Sequence, residues 1–262
     1  MESVELGIYS LWHQNTPHFS SFCFCNSFFI LGSYVEGLLK IQIIALPSIT
    51  DQVKSGSTGS SLQNFVTCIM HERLIENIRK KVPLSAEEFE QIKPFFIPKK
   101  IRKRQFILNA GDVSQHTIFV ENGLLRAYSI DDSGHEHVVQ FAPEDWWTTD
   151  MCSFLSGDPA IYNIEALEDS ELLLLTKKAM DEMLEQQPKM ERYFRLLMQN
   201  SLIVMQRRIV GALSLSAEEK YKRMMQLYPQ ILQRAPQQHI ASFLGITPET
   251  LSRVRKQVSA HK

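Results

Sequence analysis

QQHIASFLGITPETLSRVRK, residues 237–256, is the stretch whose pattern decides the fold of this chain. Ile240, Leu244, Ile246, Leu251 and Val254 fall at the apolar positions of two short helices packed across a tight turn, and Ala241 is the small residue where those helices would cross. Gly245 stands at the turn, where a positive φ carries no steric cost. Thr247 is a good N-cap and Pro248 a good first helical residue, so the second helix has a defined start. At 100° per residue, Leu251, Val254 and Val258 form its buried side. Glu249, Ser252, Arg253 and Lys256 then share the opposite face, with Thr250 beside them. This is a helix-turn-helix whose second helix would enter a major groove. Arg253 suits guanine O6 and N7, Glu249 a cytosine amine, and Thr250 a phosphate or a thymine methyl; Arg255, on the flank, suits a phosphate or an intramolecular partner.

Working back from that motif, residues 189–213 form the longest helical stretch, behind Pro188 at a first-turn position. Met190, Phe194, Leu197, Ser201, Val204 and Arg208 run along one stripe, and Tyr193, Leu196, Ile203 and Val210 widen it. So broad an apolar face is expected to pack both on its own domain and on a second copy of the chain; a core helix in a monomer is the alternative. Residues 177–187 are also read as helical.

Between Pro94 and Thr176 the period changes. Short β-rich runs at 105–109, 117–120, 124–130, 135–141, 162–167 and 171–176 alternate with turn signals such as Gly111-Asp112, Asn122-Gly123 and Ser133-Gly134. This pattern predicts an antiparallel, jelly-roll-like β-roll rather than βαβ units. Residues 71–81 read as an amphipathic helix, and Ser85 with Glu88 as the capping box of another. The expected class is therefore α+β. Its parts would be a roll with flanking helices over 70–187, a dimerisation helix over 188–213, and a helix-turn-helix domain over 214–262 without a clear wing, since six residues follow Lys256.

Residues 1–69 are expected to be an extension, disordered or an artefact of start-site choice. The apolar-rich segment 19–46 approaches bilayer length, but many Ser and Asn, the lack of preceding Lys or Arg and the linker-like SGSTGSS at 55–61 argue against an anchor. Cys23, Cys25, Cys68 and Cys152 are too few and too scattered for a disulfide framework or a four-ligand metal site, which fits a reducing cytoplasm; neither metal nor cofactor is expected. The formal charge of −1 hides a strong asymmetry. Residues 127–176 hold eleven acidic residues and no Lys or Arg, whereas from Arg234 onward cations dominate.

With these parts in order, residues 70–262 resemble the Crp/Fnr family of bacterial transcription regulators, through QFAPEDWWTTD (140–150), YNIEALEDSE (162–171), QRRIVGALSLSAEEKY (206–221) and PETLSR (248–253). The resemblance implies a homodimer on a near-palindromic duplex operator, tuned by an unidentified signal at the roll, with RNA polymerase as a further candidate partner. It implies no enzymatic activity. The family's recognition helix reads bases with Arg, Glu and Arg; here Glu249 and Arg253 fill two roles and Pro248 replaces the first, so the preferred operator should differ. Members that bind cyclic nucleotides hold the phosphate with a Gly-Glu pair and an arginine. The corresponding stretch, EDWWTTDMCSFLSGDPAIYNIEA, has neither, and no cyclic nucleotide is expected. Trp146, Trp147, Cys152 and Tyr162 are candidates for lining an effector pocket, with plain core as the alternative. The family's wing and the cysteine cluster of its oxygen-sensing members have no counterpart. Two competing readings are a cupin-like metal enzyme built on His135, His137 and Glu144, and an interaction module that does not bind DNA.

Overall fold

Leu172, Leu173, Leu174 and Leu175 show how the centre of the molecule is made: Leu172 and Leu174 join one buried cluster, while Leu173 and Leu175 join another on the opposite side. That alternation is the period of a strand buried on both faces. The same division separates Phe119 from Ile118 and Val120, Tyr128 from Ala127, and Phe141 from Ala142. A computed structural model describes residues 71–260. All of these residues fall in one compact unit.

Among the described residues, eight strands make two four-stranded antiparallel sheets. The first, in the order β1-β8-β3-β6, comprises β1 (Ile97–Ile101), β8 (Ser170–Thr176), β3 (His116–Asn122) and β6 (Trp147–Thr148). The second, in the order β2-β7-β4-β5, comprises β2 (Phe106–Leu108), β7 (Asn163–Ala166), β4 (Leu125–Ile130) and β5 (Glu136–Ala142). Between them lies an apolar layer that includes Leu125, Ala127, Ile164, Leu172 and Leu174. This is the predicted roll. Two strands escape the sequence pattern: β1 reads IPKKI, with polar and proline residues suited to a sheet edge, and β6 has two residues.

Helices cover both outer faces. Against Phe119, Leu173 and Leu175 pack α1 (Glu72–Arg79) and α2 (Ala86–Ile92), the latter started by the predicted Ser85–Glu88 capping box. A short α3 (Met151–Ser156) follows β6. After β8 come α4 (Lys177–Gln186) and α5 (Pro188–Ser214), the predicted long helix with its proline in the first turn. The remaining chain forms α6 (Ala217–Leu227), α7 (Pro229–Arg234), α8 (Gln237–Leu244) and α9 (Pro248–Ala260). These helices pack on Leu124, Tyr128, Val138, Phe141 and Leu167 of the second sheet and its turns, making one continuous core between roll and C-terminal helices.

The long helix divides its faces more sharply than its composition suggests. Met190, Tyr193 and Phe194 are buried against the roll, and the stripe continues through half-buried Leu197 and Val204. Beyond Leu197 a neighbouring stripe is bare: Met198, Leu202, Met205 and Ile209 are all exposed at spacings of four, three and four residues. No described helix is long and apolar enough to cross a membrane. The apolar segment 19–46, Cys23, Cys25, Cys68 and the proposed extension lie outside the described residues.

Candidate nucleic-acid interface

The turn between α8 and α9 is closed by backbone geometry that only a few residues adopt. Gly245 has φ of 66°, and its N–H and that of Ile246 return to the carbonyls of Ser242 and Ala241 at 3.0 Å each. This left-handed cap ends α8 abruptly and redirects the chain. Thr247 then caps α9, its Oγ1 accepting from the Thr250 N–H at 3.2 Å. Ala241 is fully buried with Ile240, Leu251 and Val254, as the sequence pattern requires of a close helix crossing.

With that side buried, Glu249, Ser252, Arg253 and Lys256 are exposed together, and with Pro248 and Gln257 they line one open surface depression. Glu249 is held below the usual carboxylate range by its own backbone amide and then by the Thr247 hydroxyl, so it is an acceptor at neutral pH. Thr250 is half-buried, its hydroxyl taken up by Thr247 at 3.2 Å. Arg255 is half-buried on the flank. The arrangement offers one acceptor and two cations on the face of a helix, the chemistry needed at base edges and phosphates.

The α8–α9 unit is fastened to the roll. Ser242 accepts from the Val138 N–H at 2.9 Å and donates to the Glu136 carbonyl at 2.7 Å. Phe243 packs on Phe141 with ring centroids 5.2 Å apart, and the Arg208 guanidinium of α5 lies over the Phe243 ring while donating to the Val139 carbonyl. At the end of α7, Arg234 grips Glu144 at 2.8 and 2.9 Å and also pairs with Glu168. Burial alone would raise the Glu144 carboxyl, but Arg234 carries it below its ordinary value. No sequence signal marks these contacts, because each joins residues far apart in the chain.

The four candidate pocket residues do not converge. Trp147 belongs to the cluster beneath α5, where its Nε1 donates to the Tyr193 hydroxyl at 2.9 Å. Trp146 joins the inter-sheet layer and meets Tyr228 edge-on at 5.7 Å. Cys152 is exposed on α3, and Tyr162 is half-buried before β7. The cupin-type grouping is also dispersed. His137 Nε2 lies 2.7 Å from Asp131 Oδ2, whereas Glu144 is committed to Arg234, so the three groups share no ion. Among the described residues no group of three His, Cys, Asp or Glu is placed to hold a metal ion.

The segment 144–166, compared in sequence with a phosphate site, carries negative charge at the start of α3. Asp150 is buried, caps α3 by accepting from the Ser153 N–H at 3.1 Å, and takes the Ile161 N–H at 2.9 Å. Arg126, a buried cation on the second sheet just outside the cation-free stretch, donates to Glu165 at 2.9 Å and pairs with Glu136. Its charge is already matched.

Residues 98–187 match the cyclic nucleotide-binding domain family. The chain is similar to the regulatory protein HlyX of Actinobacillus pleuropneumoniae, 28% identical over 191 residues that cover 65% of this chain and 75% of that protein. It is similar also to the fumarate and nitrate reduction regulatory protein of Vibrio cholerae, 26% identical over 185 residues, 65% of this chain and 72% of that protein. In fold it is similar to a transcriptional regulator assigned to the Crp/Fnr family from Eubacterium rectale, with a TM-score of 0.53 and 17% identity over 68% of this chain and 85% of that one.

Proposed function

Because the chain resembles the Crp/Fnr regulators in sequence, order of parts and fold, we propose that it is a DNA-binding transcription regulator. In this reading two copies pair through α5, and α9 of each enters successive major grooves of a near-palindromic operator. The observation that carries the proposal is the division of α9: Leu251 and Val254 are buried, while Glu249, Ser252, Arg253 and Lys256 are exposed together. Pairing is supported by the bare stripe Met198, Leu202, Met205 and Ile209, whose alternating four- and three-residue spacing is that of a coiled-coil seam.

The test is selection of duplexes from a random-sequence pool by the full chain, followed by titration of the selected duplex with wild type and Arg253→Ala. The selected sequences should be inverted repeats with half-sites about one helical turn apart. Loss of a bidentate guanine contact should weaken binding by roughly 1–3 kcal/mol and relax the choice at one base pair per half-site. A chain that enriches no sequence, or an R253A variant that binds and discriminates as wild type does, overturns the reading.

We further propose that the roll does not respond to a cyclic nucleotide. Asp150 puts a carboxylate at the start of α3, where it would repel a phosphodiester, and the Arg126 guanidinium is already matched by Glu165 and Glu136. Isothermal titration with cyclic AMP should show no binding; micromolar affinity would refute this.

A further inference from the structure

Residues 144–147, EDWW, form a strap whose successive side chains reach different helices. Glu144 holds Arg234 at the end of α7, and Trp146 meets Tyr228 between α6 and α7. Asp145 and Trp147 engage α1 and α5 instead. Asp145 accepts from the Asn77 amide of α1 at 2.8 Å through Oδ1 and at 2.9 Å through its carbonyl, and from Lys80 at 3.1 Å. Trp147 donates to the Tyr193 hydroxyl of α5, which in turn donates to Asn77 Oδ1 at 2.7 Å. Asn77 and Tyr193 are both buried, so α1, α5 and the strap are closed into one ring of hydrogen bonds.

The strap is also strained. Asp145 has φ of 72°, a region that aspartate bears more readily than most side chains but less readily than glycine. Its N–H donates to the Val120 carbonyl at 3.0 Å, and the Trp146 carbonyl takes the Val120 N–H at 2.9 Å. Two backbone bonds to β3 and the Asn77 amide therefore hold the conformation. A sparsely populated φ persists where surrounding contacts over-determine it, and such residues gather at switches. With Trp147 anchored in β6, relaxation of Asp145 to negative φ would turn the peptide that precedes it and carry the Glu144 carboxylate off Arg234. That pair joins the roll to the C-terminal helices, with Ala235 and Pro236 alone between Arg234 and α8.

We propose that Asp145 is a positioning residue for the DNA-binding unit: tied to α1, it keeps the strap in the shape that lets Glu144 hold Arg234, so the seat of α1 on the roll sets the pose of α8 and α9. The inference rests on the DNA-binding reading above. It adds to that reading a route by which displacement of α1 is felt at the operator. Coupling between two sites is reciprocal, so operator binding should in turn tighten α1 on the strap.

The test uses the full chain and two readouts: affinity for the pool-selected duplex, and hydrogen-exchange protection of the α8 amides in the free protein. Asp145→Ala removes the tether to α1 and leaves a Cβ at positive φ. It should weaken duplex binding by about tenfold and lower protection across α8. Asp145→Asn keeps an acceptor for Asn77 and tolerates the same φ, so it should retain most of both. With Arg234→Gln already in place, Asp145→Ala should add little further loss, because its effect passes through that grip. A general destabilisation would instead weaken binding by the same factor in either background, and that outcome overturns the inference. So does an Asp145→Ala chain with unchanged α8 protection. Should Asp145→Ala fail to fold by circular dichroism, Lys80→Glu, at an exposed position, sets a like charge against Asp145 and should lower both readouts; if it leaves both unchanged, the inference fails. If wild type binds no duplex, the DNA reading has failed. The coupling is then decided by α8 protection alone, which should fall in Asp145→Ala and not in Asp145→Asn.

Discussion

Ser242 of α8 and Val138 of β5 are joined by a hydrogen bond of 2.9 Å, and the same hydroxyl donates to the Glu136 carbonyl at 2.7 Å. β5 is the outer strand of its sheet, so one side chain of the helix-turn-helix covers backbone groups that no neighbouring strand pairs. Ser242→Ala would leave a donor and an acceptor without that partner, costing about 1–3 kcal/mol in chemical denaturation and speeding hydrogen exchange at the Val138 amide. Unchanged exchange at Val138 would mean that the hydroxyl does not hold this edge.

The exposed stripe on α5 should govern assembly. Leu202→Glu/Ile209→Glu places like charges where two seams would meet, so analytical ultracentrifugation should show at least a tenfold weaker dimer, with the far-ultraviolet spectrum retained. A pair that stays dimeric with these substitutions places the interface elsewhere.

Gly245→Ala should lower the thermal midpoint through a loss of about 1 kcal/mol, since φ of 66° is costly once a Cβ is present. Gly245→Asn should cost less. No atom lies within 4 Å of the Cβ that would be added, so the effect reports backbone conformation and not crowding.

Glu121 gives a pH-dependent prediction. Burial raises its carboxyl from 4.5 to about 7, although the N–H groups of Leu74 and Arg73 at the start of α1 favour the anion. Between those two values the folded chain holds a proton that the unfolded chain has released. Stability from this group is therefore full below pH 4.5 and is lost as pH rises through about 7. The difference in unfolding free energy between wild type and Glu121→Gln should move by on the order of 2 kcal/mol across that window, in favour of the variant as pH rises. A difference that is flat with pH would show that Glu121 titrates as an ordinary exposed carboxylate.

The parts of the fold that the sequence discloses are those whose physics is local. Thr247, Pro248 and Gly245 act on their immediate neighbours, and Ser85 with Glu88 closes a box within four residues, so each is readable from spacing. The short apolar run 171–176, coming after a series of turn signals, shows a strand, and the divided face of α9 follows from Leu251, Val254 and Val258. What spacing conceals is long-range. Arg126 looks like one more basic residue until Glu165, thirty-nine positions on, is found beside it. Trp146 and Trp147, adjacent in the chain, point to different cores because a strand sends neighbours to opposite faces. The chain's return to the roll through Arg234 and Ser242 likewise depends on partners about 70 to 100 positions away.

The division of α5 makes it a lever. Its first two turns are pinned by Met190, Tyr193 and Phe194, and the exposed length beyond them meets the roll again only where Arg208 donates to the Val139 carbonyl, among the contacts described above. From Phe194 to the end at Ser214, twenty residues at about 1.5 Å each give an arm of about 30 Å. A tilt of about 7° at the fulcrum would swing the far tip by about 3.5 Å, comparable to the rise of one base pair. Movements at the roll too small to alter its own packing would thus be magnified into a full step along a duplex.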